Sequence, residues 1–115
     1  MIILDTSIWI EFLKTHDAYF TVISQLLEQK DILAVECVFG ELLQGVKNDA
    51  EQNMILNYWK HLQKIDMTEI IIEAGLFSSR NKLLDKGVGL IDAIILIHGI
   101  RSQSRIWTLD KIFYI

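Results

Sequence analysis

Apolar positions recur along this chain with two different periods. Ile2-Ile3-Leu4 is a short unbroken run that stops at Asp5, and it predicts a strand. Thr6 and Ser7 suit the start of a helix over roughly residues 8–14. His16-Asp17 punctuates the chain, and a second helix is expected over 18–29. Residues 31–35 read as another strand. Beyond it Val35, Val38, Phe39, Leu42, Leu43 and Val46 fall on one stripe of a helix. Residues 50–63 form a further amphipathic helix, with Met54, Ile55, Tyr58, Trp59 and Leu62 on its apolar face. A third strand is expected at 65–67, and Thr68 is placed to cap a helix running to residue 86. Gly87 and Gly89 break that helix. Residues 90–99 are apolar on every side, the mark of a buried helix, and 105–109 form a last strand ending at Asp110.

Strands alternating with helices, over connections too long for hairpins, predict an α/β fold with a parallel sheet. Ligands of such sheets gather beyond the carboxyl ends of the strands, where Asp5 and Asp110 both fall. The 115 residues suffice for one domain, 1–115, and with 51% apolar residues they can bury a core without staples. Cys37 is the single cysteine, which excludes an internal disulfide framework and a cysteine-based zinc knuckle, and fits a reducing compartment. The stretch 88–100 carries Asp92 and His98 and is shorter than a membrane span, so no membrane is expected and the cytoplasm is the default location. The net charge of −4 argues against binding nucleic acid by bulk charge. A nucleic-acid partner would need a local basic rim or a bound cation. Arg80, Lys82 and Lys86 are the foremost candidates for that rim, because Lys82 and Lys86, four apart, would share a helical face. Lys14, Lys47, Arg101 and Arg105 are further candidates.

Most acids stand in polar surroundings, but four do not. Asp5 and Asp110 follow apolar strands, Asp92 interrupts the apolar helix, and Glu41 borders the stripe ahead of Leu42-Leu43. Each has a structural alternative: a helix cap for Asp5, a dipole partner for Asp92, a turn for Asp110, a solvated border for Glu41. If the four converge, two carboxylates ~5 Å apart repel by roughly 3 kcal/mol at an effective dielectric of about 20. A divalent cation relieves that repulsion, and an all-oxygen donor set selects Mg²⁺ or Mn²⁺. His16, His61 and His98 are too scattered to support zinc, and His98 reads as a helix-end residue. A carboxylate-held cation at a sheet's carboxyl end suits phosphodiester hydrolysis, with Thr6 and Ser7 placed to orient a water or a phosphate oxygen.

Asp5-Thr6-Ser7 with Ile8-Trp9, Glu41-Leu42-Leu43-Gln44-Gly45, Gly89-Leu90-Ile91-Asp92-Ala93 and Thr108-Leu109-Asp110, in this order, resemble a PIN domain. The short length resembles the VapC-type ribonuclease toxins of toxin–antitoxin modules. The resemblance covers residues 1–113 and implies a three-layer α/β/α sandwich with a Mg²⁺- or Mn²⁺-dependent endoribonuclease site. It also implies that Asp5 and Asp92 are the closest metal ligands, joined by Glu41 and Asp110, and that Ser7 is the hydroxyl beside the first Asp. RNA is then the substrate, a homodimer the assembly, and a cognate antitoxin the inhibitor. The aromatic residues Trp9, Phe12, Phe20, Tyr58 and Trp59 are expected mostly in the core, with a few lining the antitoxin groove.

Two departures from the family pattern stand out. Ile112 occupies a position where many relatives carry another acid, and the chain stops at Ile115, apparently short at its carboxyl end. One alternative is a catalytically weak or inactive PIN-like interaction module. Another is an aspartyl-nucleophile phosphatase of the haloacid-dehalogenase type, whose pattern wants a second Asp where Ser7 stands.

Overall fold

The computed structural model describes residues 1–15 and 17–110. Its elements are β1 (Ile2–Leu4), α1 (Thr6–Leu13), α2 (Asp17–Glu28), β2 (Leu33–Ala34), α3 (Glu36–Gln44), α4 (Asp49–His61), β3 (Gln63–Lys64), α5 (Ile70–Arg80), a 3-10 turn (Leu84–Lys86), α6 (Leu90–Ser102) and β4 (Arg105–Trp107).

Every strand pairing is parallel. β1 lies against β4 with Ile2 opposite Arg105 and Leu4 opposite Trp107, and β2 lies against β3 with Leu33 opposite Gln63. A single bridge between Ile2 and Ile32 joins the two pairs, giving the order β3-β2-β1-β4. The chain leaves β1 to one side for β2 and reaches β4 on the other, so β1 is the switch point where a doubly wound sheet opens a crevice. Ile3, Leu4, Ile32, Leu33 and Ala34 are all buried, although neighbours on a strand point to opposite faces. Both faces are therefore covered by helices. This is the mixed α/β sandwich expected from the pattern.

Two cores result. The larger gathers β1, β2 and helices α1 to α4 around Trp9, whose ring meets Phe12 and Phe39 edge-on at 5.8 and 5.2 Å. The smaller lies between α5 and α6, around Ala74, Val88, Ala93, Ile94 and Ile97. α6 serves both, since Ile95 belongs to the first and Ile94 to the second. That is why its sequence is apolar on every side. Leu90, Ile91 and Ile100 nonetheless remain exposed at its ends.

Several boundaries differ from expectation. β3 is at Gln63–Lys64, ahead of the predicted 65–67. Thr68 is not the cap of α5; Glu69 holds that place in a left-handed conformation (φ 61°) with no side-chain cap bond. α5 stops at Arg80 instead of running to residue 86. The Leu83 amide donates to Ser78 O (3.0 Å) and the Lys82 amide to Ser79 O (3.3 Å), with Lys82 left-handed at φ 54°. This pair of bonds terminates a helix, usually with glycine at the left-handed position. The premise that Lys82 and Lys86 share a helical face therefore falls: one sits in the terminating turn, the other in the 3-10 segment. Among the described residues no helix is long and apolar enough to cross a membrane.

Candidate metal and phosphodiester site

Asp5 follows β1 directly and its backbone is extended (φ −77°, ψ 177°), the conformation of a helix N-cap. It caps α1, a role the sequence had offered to Thr6 and Ser7, which lie in the first turn instead. The Asp5 carboxylate is only 5% exposed and is held by three donors. Oδ1 accepts from the Ser7 hydroxyl (2.5 Å) and the Ile8 amide (3.2 Å). Oδ2 accepts from the buried Thr108 hydroxyl. Thr108 follows β4, so this bond ties the two central strands together where they end.

The neighbouring hydroxyls are engaged in the same way. Ser7 Oγ accepts from the Leu109 amide (3.1 Å), and Thr108 Oγ1 accepts from the Asp110 amide (2.9 Å). Thr6 Oγ1 donates to Glu41 Oε1 at 2.6 Å, drawing the exposed end of Glu41 on α3 toward the start of α1.

Asp92 lies in the first turn of α6, half-buried. Its carboxyl is pushed above the ordinary aspartate range, chiefly by burial and then by the charge of Asp110. A backbone bond at Gly89 works the other way, and the charges of Glu41 and Asp5 add to the rise. The structure thus brings Asp5, Glu41, Asp92 and Asp110, spread over more than a hundred residues, to the carboxyl end of β1 within electrostatic reach of one another. Cys37, half-buried one turn before Glu41, registers the same field. Its thiol is pushed up to about 11, first by burial and then by Glu41, with Asp92 a smaller contributor.

Nothing cationic offsets this charge nearby: among the described residues no Lys or Arg forms a salt bridge with Asp5, Glu41 or Asp92. Nor, among the described residues, do three His, Cys, Asp or Glu side chains stand close enough to cage an ion outright. The donor set fits a hard divalent cation in its chemistry, since all four side chains offer carboxylate oxygens in a region short of positive charge. Ile112, the position of the absent fifth acid, lies outside the described residues, as does His16.

The basic candidates are apart from one another. Arg80 ends α5, while Lys82 lines a depression of about 400 Å³ with Ser78, Ser79 and Leu90, at the amino end of the helix that carries Asp92. His98 is not a helix-end residue, because α6 continues to Ser102. It is buried, its Nδ1 has no partner, and burial holds its pKa down. It lines a cavity of about 500 Å³ with Glu36, Trp59, Lys64 and Asp66, which none of the four acids touches. Of the aromatics, Trp9 and Phe12 are core as expected, and Phe20 is exposed but stacked on Phe12 at 5.4 Å.

Thr108 is the functional candidate that sequence reasoning passed over. The signal was present: a Thr two residues before an Asp, just past a strand, is placed for a hydroxyl turn onto the Asp amide. That turn is formed.

No curated protein matches this chain. A family model, the PIN domain, matches residues 2–115, nearly the whole length. The parallel sheet switching at β1, the acids at its carboxyl end and that match agree, and the chain belongs to the PIN domain family, whose fold is generally that of metal-dependent nucleases.

Proposed function

We propose that this chain is a Mg²⁺- or Mn²⁺-dependent endoribonuclease, the toxin of a toxin–antitoxin module, with Asp5, Glu41, Asp92 and Asp110 as its acids. The observation that carries the reading is the gathering of these four carboxylates at the sheet's switch point, where Asp92 feels the other three. Asp5 and Asp92 would hold the cation most closely, and Glu41 and Asp110 would complete its surroundings directly or through water. A divalent ion there supplies polarisation of the phosphodiester and a water acidic enough to attack phosphorus. The amino end of α1, beside Asp5, favours the anionic phosphate, and Thr6 is placed to steer Glu41. Arg80, Lys82 and Lys86, around the start of α6, would meet RNA phosphates flanking the cut.

Two surfaces support the partners. A groove of about 320 Å³ between α1, α3 and α4 is lined by Ile10, Leu13, Leu42, Val46, Met54 and Glu41. It joins an apolar floor to one of the acids, as an antitoxin segment lying over the site requires. Ile72, Leu76, Leu84 and Leu90 are exposed on and beside α5, an apolar surface suited to a second copy of the chain.

The test is cleavage of end-labelled RNA by the purified protein with Mg²⁺ or Mn²⁺. EDTA and Asp5→Asn should each reduce cutting by about 10²-fold or more, the loss of several kcal/mol of charge stabilisation. Cutting that survives both would overturn the reading. Metal binding without turnover would favour a non-catalytic PIN module, and a covalent phospho-aspartate would favour a phosphatase.

A further inference from the structure

The three bonds to Asp5 have a consequence that goes beyond holding it in place. A carboxylate offers about four lone-pair positions, two on each oxygen. Oδ1 has both occupied, by the Ser7 hydroxyl and the Ile8 amide. Oδ2 has one occupied, by the Thr108 hydroxyl. A hydroxyl has one proton, and Ser7 and Thr108 each spend theirs on Asp5. Their oxygens meanwhile accept the amides of Leu109 and Asp110, so the same two side chains fasten the backbone that carries Asp110.

Resting on the nuclease reading above, we propose that Ser7 and Thr108 are positioning residues that make Asp5 a one-point ligand, open to a cation through a single lone pair of Oδ2. Ser7 then acts through Asp5 and not on a water directly. The arrangement bears on which ion is accepted. Mg²⁺ and Mn²⁺ suit single carboxylate oxygens in octahedral sites, whereas Ca²⁺ is larger and readily takes both oxygens of one carboxylate. With Oδ1 filled, two-point binding by Asp5 is closed, and the clasp discriminates against Ca²⁺. Thr108 has the second task of setting Asp110 against the open lone pair, because its oxygen is the acceptor for the Asp110 amide.

Mn²⁺ and Ca²⁺ titrations of the full-length, metal-stripped chain by calorimetry test this, with circular dichroism confirming that each variant is folded. Wild type should bind Mn²⁺ more tightly than Ca²⁺. Ser7→Ala reopens Oδ1 and should lower the Mn²⁺/Ca²⁺ affinity ratio by about 10-fold. Thr108→Val should weaken Mn²⁺ binding by about 10- to 100-fold, while Thr108→Ser, which keeps the hydroxyl, should stay within about 3-fold of wild type. A merely structural role would depress both ions alike and leave the ratio unchanged. With wild-type Mn²⁺ binding intact, an unchanged ratio in Ser7→Ala, or wild-type Mn²⁺ affinity in Thr108→Val, overturns the clasp alone. Wild-type protein that binds neither ion overturns the nuclease reading and the clasp with it.

Discussion

Asp5 and Asp92 stand at the same end of the sheet, and the fold treats them in opposite ways. Asp5 is buried but surrounded by donors: two hydroxyls and an amide satisfy its charge within the protein. Asp92 is less buried, yet its principal neighbours are the other acids, and the Gly89 backbone bond only partly opposes their effect. Burial alone therefore does not decide how much a carboxylate costs. What decides is whether donors or like charges face it. One acid is part of the framework, and the other is left expecting a positive charge from outside.

The largest expected effect would break this comparison if it failed. Asp5→Ala should destabilise the protein by about 3 kcal/mol, from a lost cap of about 1 kcal/mol and a stranded buried Thr108 hydroxyl of about 1–3 kcal/mol. Urea unfolding measures it, and a cost below about 1 kcal/mol would show that the donors contribute little.

Asp92→Asn should move the other way. In metal-free protein it should raise stability, on the order of 1 kcal/mol, because relief of repulsion outweighs a lost favourable charge at the α6 amino end. The pH dependence has a defined sign. Asp92 has a raised folded pKa, so between the unfolded value near 3.8 and the higher folded value the native state binds more protons than the unfolded chain. Its contribution to stability therefore falls as pH rises through that window and stays low above it. Thermal melts should show this component in wild type and lack it in Asp92→Asn. A melting temperature for Asp92→Asn well below wild type would argue that the acids do not burden one another.

The smallest effect sharpens the contrast by giving a baseline for an ordinary carboxylate. Glu73 on α5 pairs with Arg101 on α6 at 2.8 Å, both largely in solvent. Glu73→Gln should cost about 0.5 kcal/mol or less, and the cost should shrink further in 1 M salt.

Much of this was legible in the chain. Apolar runs before Asp5 and Asp110 announced strands, and the all-round apolar stretch after Gly89 announced a helix between two cores. Helix ends were less legible, for a physical reason. The signal sought there is glycine, but Lys30, Lys82 and Gln103 take the left-handed position themselves. Nothing in a lysine or a glutamine advertises a positive φ, so α5 was drawn a turn and a half too long. In the site, the odd placement of the acids could be read because an acid in an apolar run violates patterning. Thr108 violates nothing, and its importance lies in a partner far away along the sequence, which pattern cannot report.

That distance has its own consequence. The hydroxyl of Thr108 reaches a carboxylate 103 positions earlier, and β1 pairs with β4, the last strand described. Contacts so remote in sequence form late, after the local helices have had time to appear. While the polypeptide is being synthesised, β1 waits beside β2 with one edge open, and the first aspartate has neither its clasp nor its distal companion. A nascent or prematurely terminated product lacking β4 would carry most of the helices and none of the completed acidic centre, so the order of synthesis itself keeps an RNA-cutting pocket from existing before its chain is nearly finished.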